Sequence, residues 1–352
     1  MYKVCVYAIC KNEEKFINRW YNSMKEADKI FVLDTGSTDN SYNLLKKLGV
    51  CVKRMEIKPW RFDVARNISL DMIDEDCDIC VCTDLDEVFE KGWRDKLEKI
   101  WNKNITRVSY TYNWSLENNK PLVSFYLDQI HKRHGYKWVR PVHEVLESDN
   151  EIKVLEDKIV LNHYPDLSKK RNYLPLLELS VKEDPFDDRN MHYLGREYMY
   201  LKKWNKAIDT LICHLNLKTA TWKDERCASM RFIGRCYKNL NRYFESEMWY
   251  KKAIEEAPYL KEGYAELGIF YYENNEYEKA IFLLEKVLKI KVNYKTYITE
   301  YFSTDLYIHD ILSICYFNIN DFNNSLKHIN EALKLDNNER LVNNKKIILN
   351  NL

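Results

Sequence analysis

Apolar and amphipathic stretches alternate along the first half of the chain. Val4–Cys10 is an unbroken apolar run and predicts a strand, Glu13–Met24 has the spacing of an amphipathic helix, and Lys29–Leu33 predicts a second strand. Ser41–Leu48 continues as helix, Val50–Glu56 as strand, Asp63–Ile73 as helix and Ile79–Thr83 as a fourth strand. This rhythm predicts an α/β domain with a parallel sheet covered on both faces by helices, and in such sheets ligands gather beyond the carboxyl ends of the strands. From Ser168 onward the pattern becomes helical throughout.

Composition narrows the class. The 352 residues suit two or three domains, and 45% hydrophobic content is ample for ordinary cores. Lys plus Arg (55) and Asp plus Glu (54) nearly cancel, so bulk charge asks for neither nucleic acid nor an anionic membrane. Tyr and Trp are abundant while Gly and Pro are scarce, which suits a helix-rich, ordered chain. Ten cysteines form no regular framework and lie mostly in apolar segments, so they read as buried free thiols of a cytoplasmic protein. Cys77, Cys80 and Cys82 lack a second ligand pair at zinc-site distance and read as part of a strand. No apolar stretch approaches the ~20 residues of a membrane span.

Candidate chemistry lies at the predicted strand ends. Ile79–Thr83 runs into Asp84-Leu85-Asp86, and the two-residue strand period sends both carboxylates to one side, where they could hold Mg²⁺ or Mn²⁺ against a diphosphate. An acidic loop after a buried strand is the plain alternative. The second strand ends in Asp34-Thr35-Gly36-Ser37-Thr38-Asp39, where Gly36 permits close backbone approach and Ser37, Thr38 or Asp39 can cap the following helix. The first strand runs into Cys10-Lys11-Asn12-Glu13. Together these ends suggest one carboxylate for a nucleoside and two for a cation carrying its phosphates.

Ala8-Ile9-Cys10-Lys11-Asn12-Glu13-Glu14, Val32 to Asp39, Ala65-Arg66-Asn67 and Asp84-Leu85-Asp86, in this order and spacing, resemble the family 2 nucleotide-sugar glycosyltransferases. The resemblance covers about residues 1–165 and implies a GT-A fold, Rossmann-like with a mostly parallel sheet. It places Asn12, Glu13, Asp34, Gly36, Ser37, Arg66 and Asn67 around the nucleotide, and Asp84 and Asp86 on metal and diphosphate. Many relatives have a second acid where Thr35 stands. The resemblance also implies a UDP-sugar donor in preference to GDP or dTDP, a Mn²⁺ or Mg²⁺ cofactor and inversion at the anomeric carbon.

The catalytic base is sought after the metal motif, in Lys137 to Glu144. Glu144 is the first choice, with His143 as an orienting or acceptor-binding group and Asp128 as runner-up; a surface strand of mixed polarity is the alternative. His163 closes the domain where related enzymes supply a late metal or phosphate contact. The Gln-x-x-Arg-Trp motif of processive synthases is absent, because the sole glutamine, Gln129, is followed by Ile130-His131-Lys132-Arg133. Trp60, Trp114 and Trp138 read as core residues or as platforms for sugar faces.

Residues 166–352 contain a repeat. Aligning Tyr198, Tyr237, Tyr271 and Tyr316 puts Gly195, Gly234, Gly268 and Ser313 three residues before each, and Ala207, Ser246, Ala280 and Ser325 nine after. The tyrosine intervals are 39, 34 and 45 residues, with inserts expected around Thr219–Glu225 and Asn293–Asp305. This pattern resembles the tetratricopeptide repeat, whose helix pairs must stack to bury their apolar faces. A catalytic domain joined to such repeats resembles bacterial peptide- or protein-modifying glycosyltransferases, including the sublancin-type S-glycosyltransferase, which implies a peptide or protein acceptor and a homodimer through the repeats. The His143-Glu144 and His163 pattern also resembles lipooligosaccharide-core glucosyltransferases, so a glycan or lipid-linked acceptor stays open. So does a non-catalytic scaffold.

Overall fold

The computed structural model describes residues 1–117, 120–168, 172–291, 297 and 300–352. They form two compact units, Met1–Glu183 and Asp184–Leu352. The first unit contains β1 (Val4–Cys10), α1 (Glu14–Met24), β2 (Lys29–Asp34), α2 (Ser41–Lys47), β3 (Cys51–Arg54), α3 (Phe62–Asp71) and β4 (Ile79–Cys82). It continues with β5 (Glu87–Phe89), α4 (Trp93–Ile100), β6 (Arg107–Glu117), β7 (Lys120–Lys132), β8 (Lys137–Val139), β9 (Val145–Glu147), β10 (Lys153–His163) and α5 (Leu174–Glu183). The sequence reading closed this domain at 165, whereas the division into compact units assigns α5 to it as well.

Eight strands make one sheet in the order β3-β2-β1-β4-β7-β6-β10-β5. The first four are parallel, as the βα rhythm requires. Beyond β4 the long hairpin β6–β7 adds antiparallel strands, and β10 then runs parallel to β6. The sheet is mostly parallel, as expected, and β6 and β7, separated by only two residues, can pair only antiparallel. Alternate residues of β1 feed two cores. Val4, Val6, Ala8 and Cys10 pack with Ile17, Trp20 and Leu45 of α1 and α2 and with Trp93 and Leu97 of α4. Cys5 and Tyr7 face Leu70 of α3 together with Trp138 and Leu146 from the small β8–β9 ribbon. Helices cover one face, while a helix and a ribbon cover the other.

That second core contains a closed polar chain. Trp138 Nε1 donates to the Tyr7 hydroxyl, which lies 2.8 Å from His131 Nε2, and His131 Nδ1 lies 2.6 Å from the Lys132 carbonyl. Every polar atom of the chain has a partner if His131 is neutral, and burial pushes its pKa down to about 3. Trp138 is thus a core residue and offers no face to a sugar.

The second unit is helical: α6 (Asp188–Tyr200), α7 (Trp204–Asn216), α8 (Lys223–Asn239), α9 (Tyr243–Glu256), α10 (Lys261–Glu273), α11 (Tyr277–Lys289), α12 (Asp305–Asn318), α13 (Phe322–Leu335) and α14 (Glu339–Leu349). Consecutive helices pair, and the small residues show why. A Cβ on Gly195 would stand 2.5 Å from the Leu211 side chain, on Gly234 2.5 Å from Tyr250, and on Gly268 2.7 Å from Leu284. In the second and fourth pairs the small residue of the partner helix also hydrogen-bonds across: Ser246 Oγ donates to the Gly234 carbonyl and Ser325 Oγ to that of Ser313. Lys202, Asn241, Asn275 and Asn320, each four residues after an aligned tyrosine, take left-handed φ of 58° to 61° and turn the chain between the paired helices. The first expected insert overlaps the 217–222 connection and the first turn of α8; of the second, 293–296, 298 and 299 lie outside the described residues, and 300–305 lead through a short 3-10 turn (Tyr301–Ser303) into α12.

Candidate active site

The carboxyl ends of β2, β1 and β4 meet at one edge because these strands are parallel neighbours in register, Cys10 beside Asp34 and Tyr7 beside Cys82. Asn12 Oδ1 accepts from Thr38 N at 2.7 Å, and Asn12 N donates to Ser37 Oγ at 2.9 Å, so the β1 and β2 exits are stitched into one loop pair. Asn12 has φ 56° and Gly36 φ 104°, left-handed turns that asparagine and glycine tolerate. Glu13 N donates to Ser41 Oγ, which fixes the same exit onto α2.

Asp34 is fully buried. Its Oδ1 accepts from Gly36 N and Ser37 N at 2.9 Å each and from Arg54 Nε at 3.2 Å. Its Oδ2 is buried without a hydrogen-bond partner. An orphan carboxylate oxygen of this kind is costly and marks a position where a ligand donor would be accepted.

Arg66, on α3, is the hub. Its Nε donates to Glu144 Oε1 at 2.9 Å, its Nη2 to Asp84 Oδ1 at 2.8 Å, and its Nη1 to Cys82 Sγ at 3.3 Å. Burial opposes its charge, but the surrounding Asp84, Cys82 and Glu144 hold its pKa well above the ordinary value. The planar fork thereby brings the candidate base and the first aspartate of the acidic motif to one guanidinium. Asn67 acts elsewhere. Its side-chain amide exchanges hydrogen bonds with Trp138 N and O, pinning β8 to α3.

The acidic motif opens as a turn between β4 and β5. The Asp84 side chain is 48% exposed, whereas Asp86 is buried. β10 pairs antiparallel with β5, setting His163 opposite Glu87, and His163 Nε2 lies 3.3 Å from Asp86 Oδ2 while its Nδ1 is 2.9 Å from the Trp114 carbonyl. Burial alone would lower the His163 pKa, but the Asp86 carboxylate and the Trp114 carbonyl raise it. Glu87 is a member of this cluster that the motif reading did not single out, although it directly follows Asp86. Its Oε2 accepts from Asp84 N at 2.8 Å, and burial, with the Asp84 and Asp86 charges, pushes its pKa up to about 8. Asp84, Asp86 and Glu87 thus bring three carboxylates to this turn, with the His163 imidazole beside Asp86.

Two further sequence candidates have contacts of their own. Asp128 pairs with Arg107 at 3.0 Å and Lys153 at 3.1 Å, in a network that includes Glu151. His143 takes φ 49° and sets its ring 5.6 Å from that of Tyr173. Arg54, which the sequence reading passed over, reaches Asp34 from the end of β3 and lies over the Tyr42 ring.

Two family models match separate parts of the chain. Residues 5–123 match Glycosyl transferase family 2, and residues 232–259 and 262–293 match the tetratricopeptide repeat. No curated protein matches the chain. Among solved structures it is similar to MamA (20% identity, 46% of this chain and 85% of that one, TM-score 0.37). It is also similar to the N-terminal domain of stress-induced protein-1 from C. elegans (15%, 36% and 96%, 0.32) and to a thermophilic tetratricopeptide protein of Thermus thermophilus (17%, 50% and 88%, 0.35). No helix among the described residues is long and apolar enough to cross a membrane. The chain carries a family 2 glycosyltransferase domain followed by tetratricopeptide repeats.

Proposed function

We propose that the protein is an inverting, metal-dependent, non-processive glycosyltransferase that moves a sugar from a UDP-sugar to a peptide or protein acceptor. The observation that carries this reading is the Arg66 fork, which unites Asp84 and Glu144 at the sheet edge that also holds the orphan oxygen of Asp34. Asp34 Oδ2 accepts a hydrogen bond from the nucleoside. Asp84, Asp86 and His163 would hold Mn²⁺ or Mg²⁺, which would supply positive charge against the departing diphosphate. Arg66 occupies Glu144 Oε1, and Oε2, without a partner among the described residues, takes the acceptor's proton. The new bond forms from the acceptor heteroatom to the anomeric carbon as the bond to the diphosphate oxygen breaks on the opposite face. The repeats supply the surface for a polypeptide acceptor.

The test is a UDP-sugar transfer assay with Mn²⁺, paired with intact-mass analysis of co-expressed neighbouring-gene peptides. A sugar increment that disappears in Glu144→Gln and in Asp84→Ala/Asp86→Ala supports the proposal. Transfer only to an oligosaccharide overturns the acceptor, and retention of activity in both variants overturns the site.

A further inference from the structure

The helical unit holds a second cluster of metal-ligating groups, separate from the sheet edge. Asp188 opens α6, His214 lies in the last turn of α7 and Glu225 in the first turn of α8, and their ligand atoms all lie within 4.8 Å of one another. His214 is fully buried and Glu225 nearly so. His214 Nε2 is 3.3 Å from Glu225 Oε1, yet it makes no hydrogen bond there. The ring is held from its other side: Nδ1 lies 2.9 Å from Ser229 Oγ, which lies 2.7 Å from His192 Nδ1, and His192 Nε2 is 2.7 Å from the Tyr297 hydroxyl. Arg196 donates to the same hydroxyl at 3.0 Å.

We propose that Asp188, His214 and Glu225 bind Zn²⁺ and clamp the first repeat to the second. With Nδ1 engaged by Ser229, the unbonded Nε2 of His214 faces the carboxylate side of the cluster, where a cation would find one nitrogen and two oxygen ligands together. Anchoring one ring nitrogen in a polar chain while the other faces a carboxylate is how histidine ligands are oriented at metal sites. With His214 and Glu225 buried there is little room for the several waters that Mg²⁺ or Ca²⁺ would need to complete six or more ligands, whereas Zn²⁺ is content with four. Ligand atoms about 2.0–2.2 Å from a tetrahedral zinc stand about 3.4 Å apart, a separation the His214–Glu225 pair already has. Three protein ligands leave the fourth position to water.

The full chain, stripped with chelator and carrying Asp84→Asn and Asp86→Asn to silence the sheet-edge cluster, is given one equivalent of Zn²⁺ and dialysed, and its zinc content is measured by mass spectrometry. The expected result is close to one zinc per chain and a raised thermal midpoint, both lost in His214→Ala and in the isosteric Glu225→Gln, with helical circular dichroism unchanged. Ser229→Ala, which frees the ring without removing a ligand, weakens zinc binding about 10–100-fold. Co²⁺ in place of zinc gives a visible absorption band that His214→Ala abolishes. Absence of retained zinc in the folded chain, or equal zinc in Glu225→Gln and His214→Ala as in their parent, overturns the proposal.

Discussion

Removing the Arg66 side chain tests whether the candidate site is held together as described. In Arg66→Ala the largely covered Glu144 carboxylate loses its guanidinium, and breaking a pair with one partner buried costs up to about 3–5 kcal/mol. The Asp84 arm adds under about 1 kcal/mol, because that side chain is half exposed and screened by solvent. Arg66→Lys keeps the charge but cannot serve both carboxylates and Cys82, so about 1–3 kcal/mol is expected there. Hydrogen exchange at the β1 and β4 amides reads the first unit by itself, whatever the repeats do. Glu144→Gln in both backgrounds completes a double-mutant cycle, and a coupling above about 1.5 kcal/mol is expected for residues in direct contact. A cost below about 1 kcal/mol for Arg66→Ala, or no coupling to Glu144, would refute the reasoning. Donor turnover falls with Arg66→Lys as well, since the lysine no longer fixes Asp84 and Glu144 relative to each other.

If Asp34 receives the nucleoside as proposed, Asp34→Asn, which retains the turn but removes the carboxylate, should lower UDP affinity by calorimetry about 10–100-fold, the worth of one charge-assisted hydrogen bond. Gly234→Ala drives a methyl into Tyr250 and should cost about 1–3 kcal/mol, whereas Gly263→Ala, whose Cβ meets Ile254 at 3.3 Å, should stay within about 1 kcal/mol of wild type; equal thermal midpoints would count against the close-packing account. His131, with a folded pKa of about 3 against 6.5 in the unfolded chain, stays neutral in the fold while the unfolded chain gains a proton as pH falls through 6.5. Its contribution is therefore complete above pH 6.5 and lost progressively toward pH 3, so wild type should lose about 2 kcal/mol more than His131→Asn between pH 7 and pH 5 in urea titrations. Native thiol titration should find Cys213 reacting first, as the one exposed cysteine of the ten; the buried ones should wait for unfolding.

Local pattern reached far into this protein. β1, β2, β4 and the helices between them follow from runs and periodicities of a few residues, since a strand or a helix face is written in its own segment. The repeat was legible because each unit must solve the same close-packing problem, so glycine or serine recurs where Leu211, Tyr250 and Leu284 press in. The turn residues Lys202, Asn241, Asn275 and Asn320 carry the same register and could have been read with it.

What tertiary structure decided were the partnerships between distant segments. Asp84 and Glu144 are 60 residues apart in sequence, and nothing local says that Arg66 spans them. Asn67 sits beside Arg66 in the same motif, yet one turns to the acidic groups and the other to the Trp138 backbone. Asp128, the second choice of base after Glu144, makes its ion pairs with Arg107 and Lys153, which nothing local announces. His163 meets Asp86 only because β10 pairs with β5 at the sheet's far edge. The physical reason is common to all four. A side chain's type and periodicity are properties of its own segment, while its partner, burial and charge state are fixed by which strands pair and in what register.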